Sequence, residues 1–221
     1  MKHVLNKWVL SLVLGFVLAG AIGVGLYVHA QSGVPEVALK LGEPWEDMRK
    51  RSSAKIDPTI TDTSAFGIIE GDARMRFVDD QYGFVTPRAK FLTVSYDSQK
   101  VASVRMSPQV ETLPLDEALK VVLDLQQQWE RGGWKHVEMR GKPPFENTPQ
   151  WRENLTNCKP NTNYWYASNL YQVQLSLDCF DDSKYPNQNR YLITLELAKL
   201  GLALRESQTS RAESHLKMVA P

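Results

Sequence analysis

Apolar and polar residues alternate over several short stretches of this chain, and each stretch predicts a strand with one buried and one solvated face. Ala73, Met75 and Phe77 alternate with Arg74 and Arg76, and the strand-like stretches 91–96 and 101–106 are joined by the turn Asp97-Ser98-Gln99-Lys100. Tyr171, Val173, Leu175 and Leu177 alternate with Gln172, Gln174, Ser176 and Asp178, and a last strand covers 190–198. In between, the period changes. Leu115, Ala118, Leu119, Val122, Leu125 and Trp129 fall on one face of a helix that Gly132-Gly133 stops. A shorter helix is predicted over 45–52, with Pro44 suited to its first turn, after an extended stretch 34–41. Residues 134–139 read as a strand, and 54–71 and 140–150 as loops. The expected fold class is therefore α+β: an N-terminal transmembrane helix, then antiparallel sheet packed with two helices. The order helix, strands, helix, strands also permits two similar units, 31–113 and 114–200, within an extracytoplasmic domain 31–200, followed by a flexible polar tail 201–221.

The membrane segment is expected at 8–28, a run that opens on Trp8, closes on Val28 and carries no charge over 21 residues. As a helix it would extend ~31 Å, the thickness of a hydrocarbon core. Lys2 and Lys7 precede it and the next charges are Glu36 and Lys40, so the positive-inside rule leaves the N-terminus in the cytoplasm and the domain outside. Two readings stay open. One is an uncleaved anchor in a bacterial inner membrane, and the other is a signal segment removed after Ala30, where Val28-His29-Ala30 suits a peptidase. Gly15, Ala19 and Gly23 recur every fourth residue and would let a second helix approach, although glycine is common in membrane helices generally.

Outside the cytoplasm an isolated cysteine pair is most simply a disulfide, so Cys158 and Cys179 are expected to be joined. A hairpin supports the pairing. If Ser168-Asn169 is a two-residue turn, cross-strand partners have numbers that sum to 337, which is also the sum for the two cysteines. In that register Tyr166 faces Tyr171, Tyr164 faces Val173, and Trp165 lies on the opposite face across from Gln172. Pro160 then suits an edge strand.

The segment Val37-Ala38-Leu39-Lys40-Leu41-Gly42-Glu43-Pro44-Trp45-Glu46-Asp47-Met48 resembles the opening pattern of the SmpA/OmlA envelope-protein family and the beta-lactamase-inhibitor-like fold around it. That pattern is an apolar strand, a Gly turn, and a short helix feeding an antiparallel sheet. The resemblance covers about a dozen residues and implies a non-enzymatic, surface-binding envelope domain. It departs from the family in having no lipid-attachment Cys, and no functional residue carries over.

Charge narrows the partners. The chain has 26 basic and 25 acidic residues; two of the basic ones, Lys2 and Lys7, lie in the leader, which leaves 24 against 25, or −1, beyond it. Phosphate binding needs a basic excess, so nucleic acid is not an expected partner. Catalytic chemistry is thinly represented. His136 is the one histidine inside the domain, since His3 and His29 flank the anchor and His215 lies in the tail, so no metal-ligand spacing exists and no cofactor is expected. His136 and Glu138 would share a strand face and could form an acid-base pair, though such pairs are usually structural. Asp178, Asp181, Asp182, Asn187 and Asn189 offer oxygen ligands in a spacing that fits no EF-hand.

Binding is the better-supported function class. Trp151 and Trp165, with Phe145 in the loop Lys142-Pro143-Pro144-Phe145, are candidate contact residues because large aromatics dominate interaction hot spots. Arg49 and Arg51, in the run Arg49-Lys50-Arg51, are candidates for an acidic partner, against the simpler reading of a solvated helix end. The expected function is a membrane-anchored periplasmic module that binds another protein, toxin-neutralising (immunity) or inhibitor-like. The alternative is an envelope-assembly or cell-wall scaffold that uses its tryptophans. An enzyme built around His136 and Glu138 ranks third.

Overall fold

The computed structural model describes residues 33–58, 65–69, 71–138 and 142–200. The chain divides at Val34 into two units, and the architecture that follows is that of the second, from Pro35 onward. Ten strands and three helices follow one another along its described residues: β1 (Glu36–Leu39), α1 (Trp45–Arg51), β2 (Ala65–Ile68), β3 (Ala73–Phe77), β4 (Phe84–Ala89), β5 (Phe91–Asp97), β6 (Lys100–Ser107), α2 (Leu115–Arg131), β7 (Lys135–Val137), α3 (Pro149–Thr156), β8 (Thr162–Ala167), β9 (Tyr171–Phe180) and β10 (Arg190–Lys199). They form a three-stranded sheet in the order β1-β3-β4 and a seven-stranded sheet in the order β2-β5-β6-β10-β9-β8-β7.

This corrects the expected α+β architecture. Strand accounts for 41% of the described structure and helix for 20%, so the fold is dominated by sheet. The described residues hold three helices rather than two, and the small sheet is mixed, because β1 runs parallel to β3. Nor does the large sheet divide into two similar halves. The pairing of β6 with β10 joins strands from both halves of the chain into one ladder. Among the described residues no helix is long and apolar enough to cross a membrane. The 8–28 run, the Gly15-Ala19-Gly23 stripe and the 201–221 tail lie outside the described residues.

Local sequence explains much of the rest. β3 alternates buried and half-buried residues, as its Ala73-Met75-Phe77 pattern requires. α2 packs Ala118, Leu119, Val122, Leu125 and Trp129 into the core. It ends in a Schellman motif: Gly133 has φ +84°, its N–H donates to Glu130 O at 3.0 Å, and Trp134 N–H donates to Trp129 O at 2.9 Å. The rings of Trp129 and Trp134 meet across that turn with centroids 6.4 Å apart. Residues 37–48 form strand, turn and short helix, but the strand enters the mixed sheet. β2 falls inside the expected loop 54–71, and α3 begins at the end of the expected loop 140–150, with Thr148 as its cap and Pro149 as its first residue. β4, where no element was expected, contains Pro87, which a strand accepts at a sheet edge.

The β5–β6 hairpin turns through Ser98 and Gln99, both left-handed at φ 50° and 62°, as a type I′ turn demands. Neither is the glycine that such a turn prefers. Gln99→Gly is therefore expected to raise the unfolding free energy by about 0.5–1 kcal/mol in a urea titration. An unchanged or lower midpoint would show that the side chain compensates for its backbone.

The core is one continuous cluster, rich in aromatic rings, between the two sheets and α2. Phe77 of β3 stacks edge-on against Tyr171 of β9 at 5.0 Å, and Phe84 of β4 against Trp129 of α2 at 5.6 Å. The opposite face of the large sheet is polar, with Thr162 and Ser176 hydroxyls hydrogen-bonded across strands at 2.8 Å.

Candidate functional site

The disulfide between Cys158 and Cys179 is formed, with Cα atoms 5.3 Å apart, and it fits an oxidising, extracytoplasmic compartment. Its setting differs from the expected hairpin. Ala167 pairs with Tyr171, so the turn has three residues, Ser168, Asn169 and Leu170, and cross-strand numbers sum to 338. Cys158 is not in a strand at all: it follows α3, and the bridge clamps the end of that helix to β9. β8 is not the sheet edge either, since β7 pairs along its outer side.

That one-residue shift reverses the faces. Trp165 stands opposite Val173 rather than Gln172, on the core face, and is 2% exposed. Trp151 and Phe145 are also buried, at 7% and 1%, with ring centroids 5.0 Å apart. Trp165 and Phe145 thus pack the core rather than present a contact surface, and Trp151 keeps only a small accessible part, which lines a pocket beside α3. Arg49 makes a bidentate pair with Glu46 at 2.7 Å, and its hydrogen bonds hold the Glu46 carboxyl below the usual carboxylate range. Arg51 pairs with the largely buried Glu43 and donates to Ala38 O at 3.2 Å, which ties α1 to β1. Both arginines are engaged within the fold.

His136 lies opposite Trp165, with ring centroids 5.3 Å apart, and its Nε2 is buried without a partner. Burial pulls its pKa down, opposed by the charge of Glu138. The oxygen-rich loop is dispersed. Asp182 accepts from Thr112 Oγ1 at 2.5 Å, Asp178 accepts from Asn161 N–H at 3.3 Å, and Asn189 donates to Thr156 O at 3.0 Å. Among the described residues no three His, Cys, Asp or Glu side chains gather where they could hold a metal ion.

A cluster of exposed apolar side chains lies elsewhere, two of its three residues in what the sequence pattern left as a loop. Phe66 and Ile68 of β2 are 66% and 65% exposed, and Phe91 of β5 is 47% exposed. In the observed register Phe66 faces Ser95 and Ile68 faces Thr93, two residues from Phe91, so all three project from one face at one end of the large sheet. Gly67 between them packs inward. A Cβ there would come within 2.7 Å of the Trp45 ring, so only glycine lets β2 lie on that indole.

Main-chain geometry completes the site. Ile69 N–H donates to Leu92 O at 3.1 Å, which makes Ile69 and, by alternation, Gly67 and Ala65 the positions bonded to β5. The N–H and C=O groups of Phe66 and Ile68 therefore point away from β5, and among the described residues β2 ends the sheet. Such an edge is a template for another strand. Ala65-Phe66-Gly67-Ile68 carries none of the charges or prolines with which edges are usually blunted. The only signal for this in the sequence is the alternation of Phe66 and Ile68 about a glycine, too short to separate from a loop.

No protein-family model, no curated protein and no solved structure matches this chain. The role of each residue therefore rests on its own geometry.

Proposed function

We propose that this protein is an extracytoplasmic binding module that captures another polypeptide by strand addition at β2, with Phe66, Ile68 and Phe91 as the apolar contact. A toxin-neutralising or inhibitor-like role is the concrete form, and the apolar run 8–28 places the module at, or carries it across, a bacterial inner membrane. The observation that carries the reading is the coincidence of two-thirds-exposed Phe66 and Ile68 with outward-directed main-chain groups on the same four-residue edge. Burying two such side chains contributes roughly 3–5 kcal/mol of gross apolar transfer, enough to matter in a transient or regulated complex. Trp129, Trp134 and Trp165 are buried and Trp151 is exposed only at the edge that lines a pocket, so the four offer no open stacking platform for a glycan, and the scaffold reading gains no support from them.

A photo-crosslinking residue placed at 66 or 68 in cells is expected to trap one discrete polypeptide, and one placed at Leu170, at the β8–β9 turn, is not. Phe66→Ser with Ile68→Ser is expected to abolish that adduct, as trapped from a crosslinker at Phe91, while leaving the melting temperature within about 2 °C, because both side chains are already in water. Adducts of equal yield from all positions, or an adduct that survives the double substitution, would overturn the proposal.

A further inference from the structure

At the other end of the large sheet, a pocket of about 300 Å³ opens between α3 and the segment that follows the disulfide. Its wall is apolar: the Trp151 indole with Pro143 and Pro160. Lys142 and Lys159 line it as well, and each brings an ammonium group. Lys142 Nζ donates to Pro160 O at 2.8 Å and Lys159 Nζ to Asn154 Oδ1 at 3.0 Å, so each is held by a residue that also lines the pocket. One hydrogen bond leaves an ammonium two further donors. Among the described residues no carboxylate lines the pocket. Beside it Asp178 accepts from Asn161 N–H, and burial raises the pKa of that carboxyl against the opposing effects of this hydrogen bond and the Lys142 charge.

The frame is rigid where it needs to be. Cys158 N–H donates to Leu155 O at 2.9 Å and Lys159 N–H to Asn154 O at 3.1 Å, a Schellman end to α3 that the disulfide fastens to β9. Lys159 therefore leaves α3 from a fixed point. The carboxamides of Gln150 and Asn154 also line the space, and each can pair with a peptide group. Positive charge on two lining lysines, an apolar wall, amide-complementary side chains and room for one residue together describe a ligand with an anionic end on an apolar body.

We propose that this pocket binds the free C-terminal carboxylate of a polypeptide whose last residue is apolar, with the carboxylate between Lys142 and Lys159 and the side chain on Trp151, Pro143 and Pro160. The assignment is independent of the β2 edge, because the two sites lie at opposite ends of the strand order.

Titration of the full chain with fluorescent Gly-Gly-Ser-Leu as the free acid, as its C-terminal amide, and competition by 4-methylpentanoate test it. The free acid is expected to bind at least about tenfold more tightly than the amide, since a charge-assisted hydrogen bond is lost with the charge. Lys142→Gln with Lys159→Gln should weaken the acid by a similar factor while leaving the melting curve in place, and Phe66→Ser with Ile68→Ser should leave it unchanged. Pro143→Ser gives a second, wall-directed variant and should weaken acid and amide alike. Equal binding of acid and amide, no binding at about 5 mM peptide, or 4-methylpentanoate binding as tightly as the peptide would each overturn the assignment, the last in favour of a small-acid site.

Discussion

Replacing Gln126 by leucine is expected to lower the unfolding free energy by about 4 kcal/mol, although the substitution conserves size and suits a helix. Gln126 is 5% exposed in the middle of the apolar face of α2. Its Nε2 donates to Phe145 O at 2.8 Å, and its Oε1 accepts from Phe145 N–H at 3.0 Å. The carboxamide thus stands in for a neighbouring strand, and without it both main-chain groups of a buried residue are left unpaired, at roughly 1–3 kcal/mol each. For a domain of this size the melting temperature should fall by roughly 10 °C. A loss below about 1 kcal/mol in urea denaturation would mean that the loop re-forms around water. The same loop supplies Pro143, so the carboxylate pocket should loosen with it.

Removing the disulfide is expected to cost about 3 kcal/mol in Cys158→Ser with Cys179→Ser, from the 21-residue separation of its ends. The backbone adds a second, separable effect. Cys158 holds a left-handed φ of 54° at the position after α3 where a helix ordinarily places glycine. Cys158→Gly with Cys179→Ser should therefore retain about 1 kcal/mol more stability than the serine pair. Parallel urea titrations of the two double variants and the reduced protein check both parts. Equal midpoints for the glycine and serine pairs would show that the left-handed residue carries no strain.

Gln126 also marks where sequence reading stops. Its neighbours Val122, Leu125 and Trp129 announce the buried face of α2 by their spacing, but a glutamine inside that face carries no sign of what it will meet. Phe145 is 19 positions away and its main chain is the partner. Gln128 does the same for Val85 of β4, and Gln109 accepts from Ile193 N–H and donates to Tyr191 O along β10. Each substitutes a side chain for a missing strand, and each was unreadable before the ladder ended where it does.

The cysteine pair shows a different limit. The pairing was legible, and its hairpin rationale was not correct. A two-residue turn made the cysteine numbers fit, whereas the chain uses three residues at the turn and joins the end of a helix to a strand. Because side chains in a strand alternate, the single-residue difference moved Trp165 from the polar face to the core. β2 was missed because four residues are too few to establish a period, and because its partner β5 is distant in sequence.

What the sequence by itself determined are the features set within a few residues: the period of α2 and of β3, β5, β6, β9 and β10, the glycine stop after Arg131, and the partner of each cysteine once they number two. Only the tertiary structure decided which strands neighbour one another, which aromatics are buried, and that Phe66 and Ile68 lie on an open edge. Local patterns arise from backbone geometry and the hydrophobic preference of single side chains, both present in any short window. Sheet order, register and exposure arise from contacts between distant segments, and no window of the chain contains both partners.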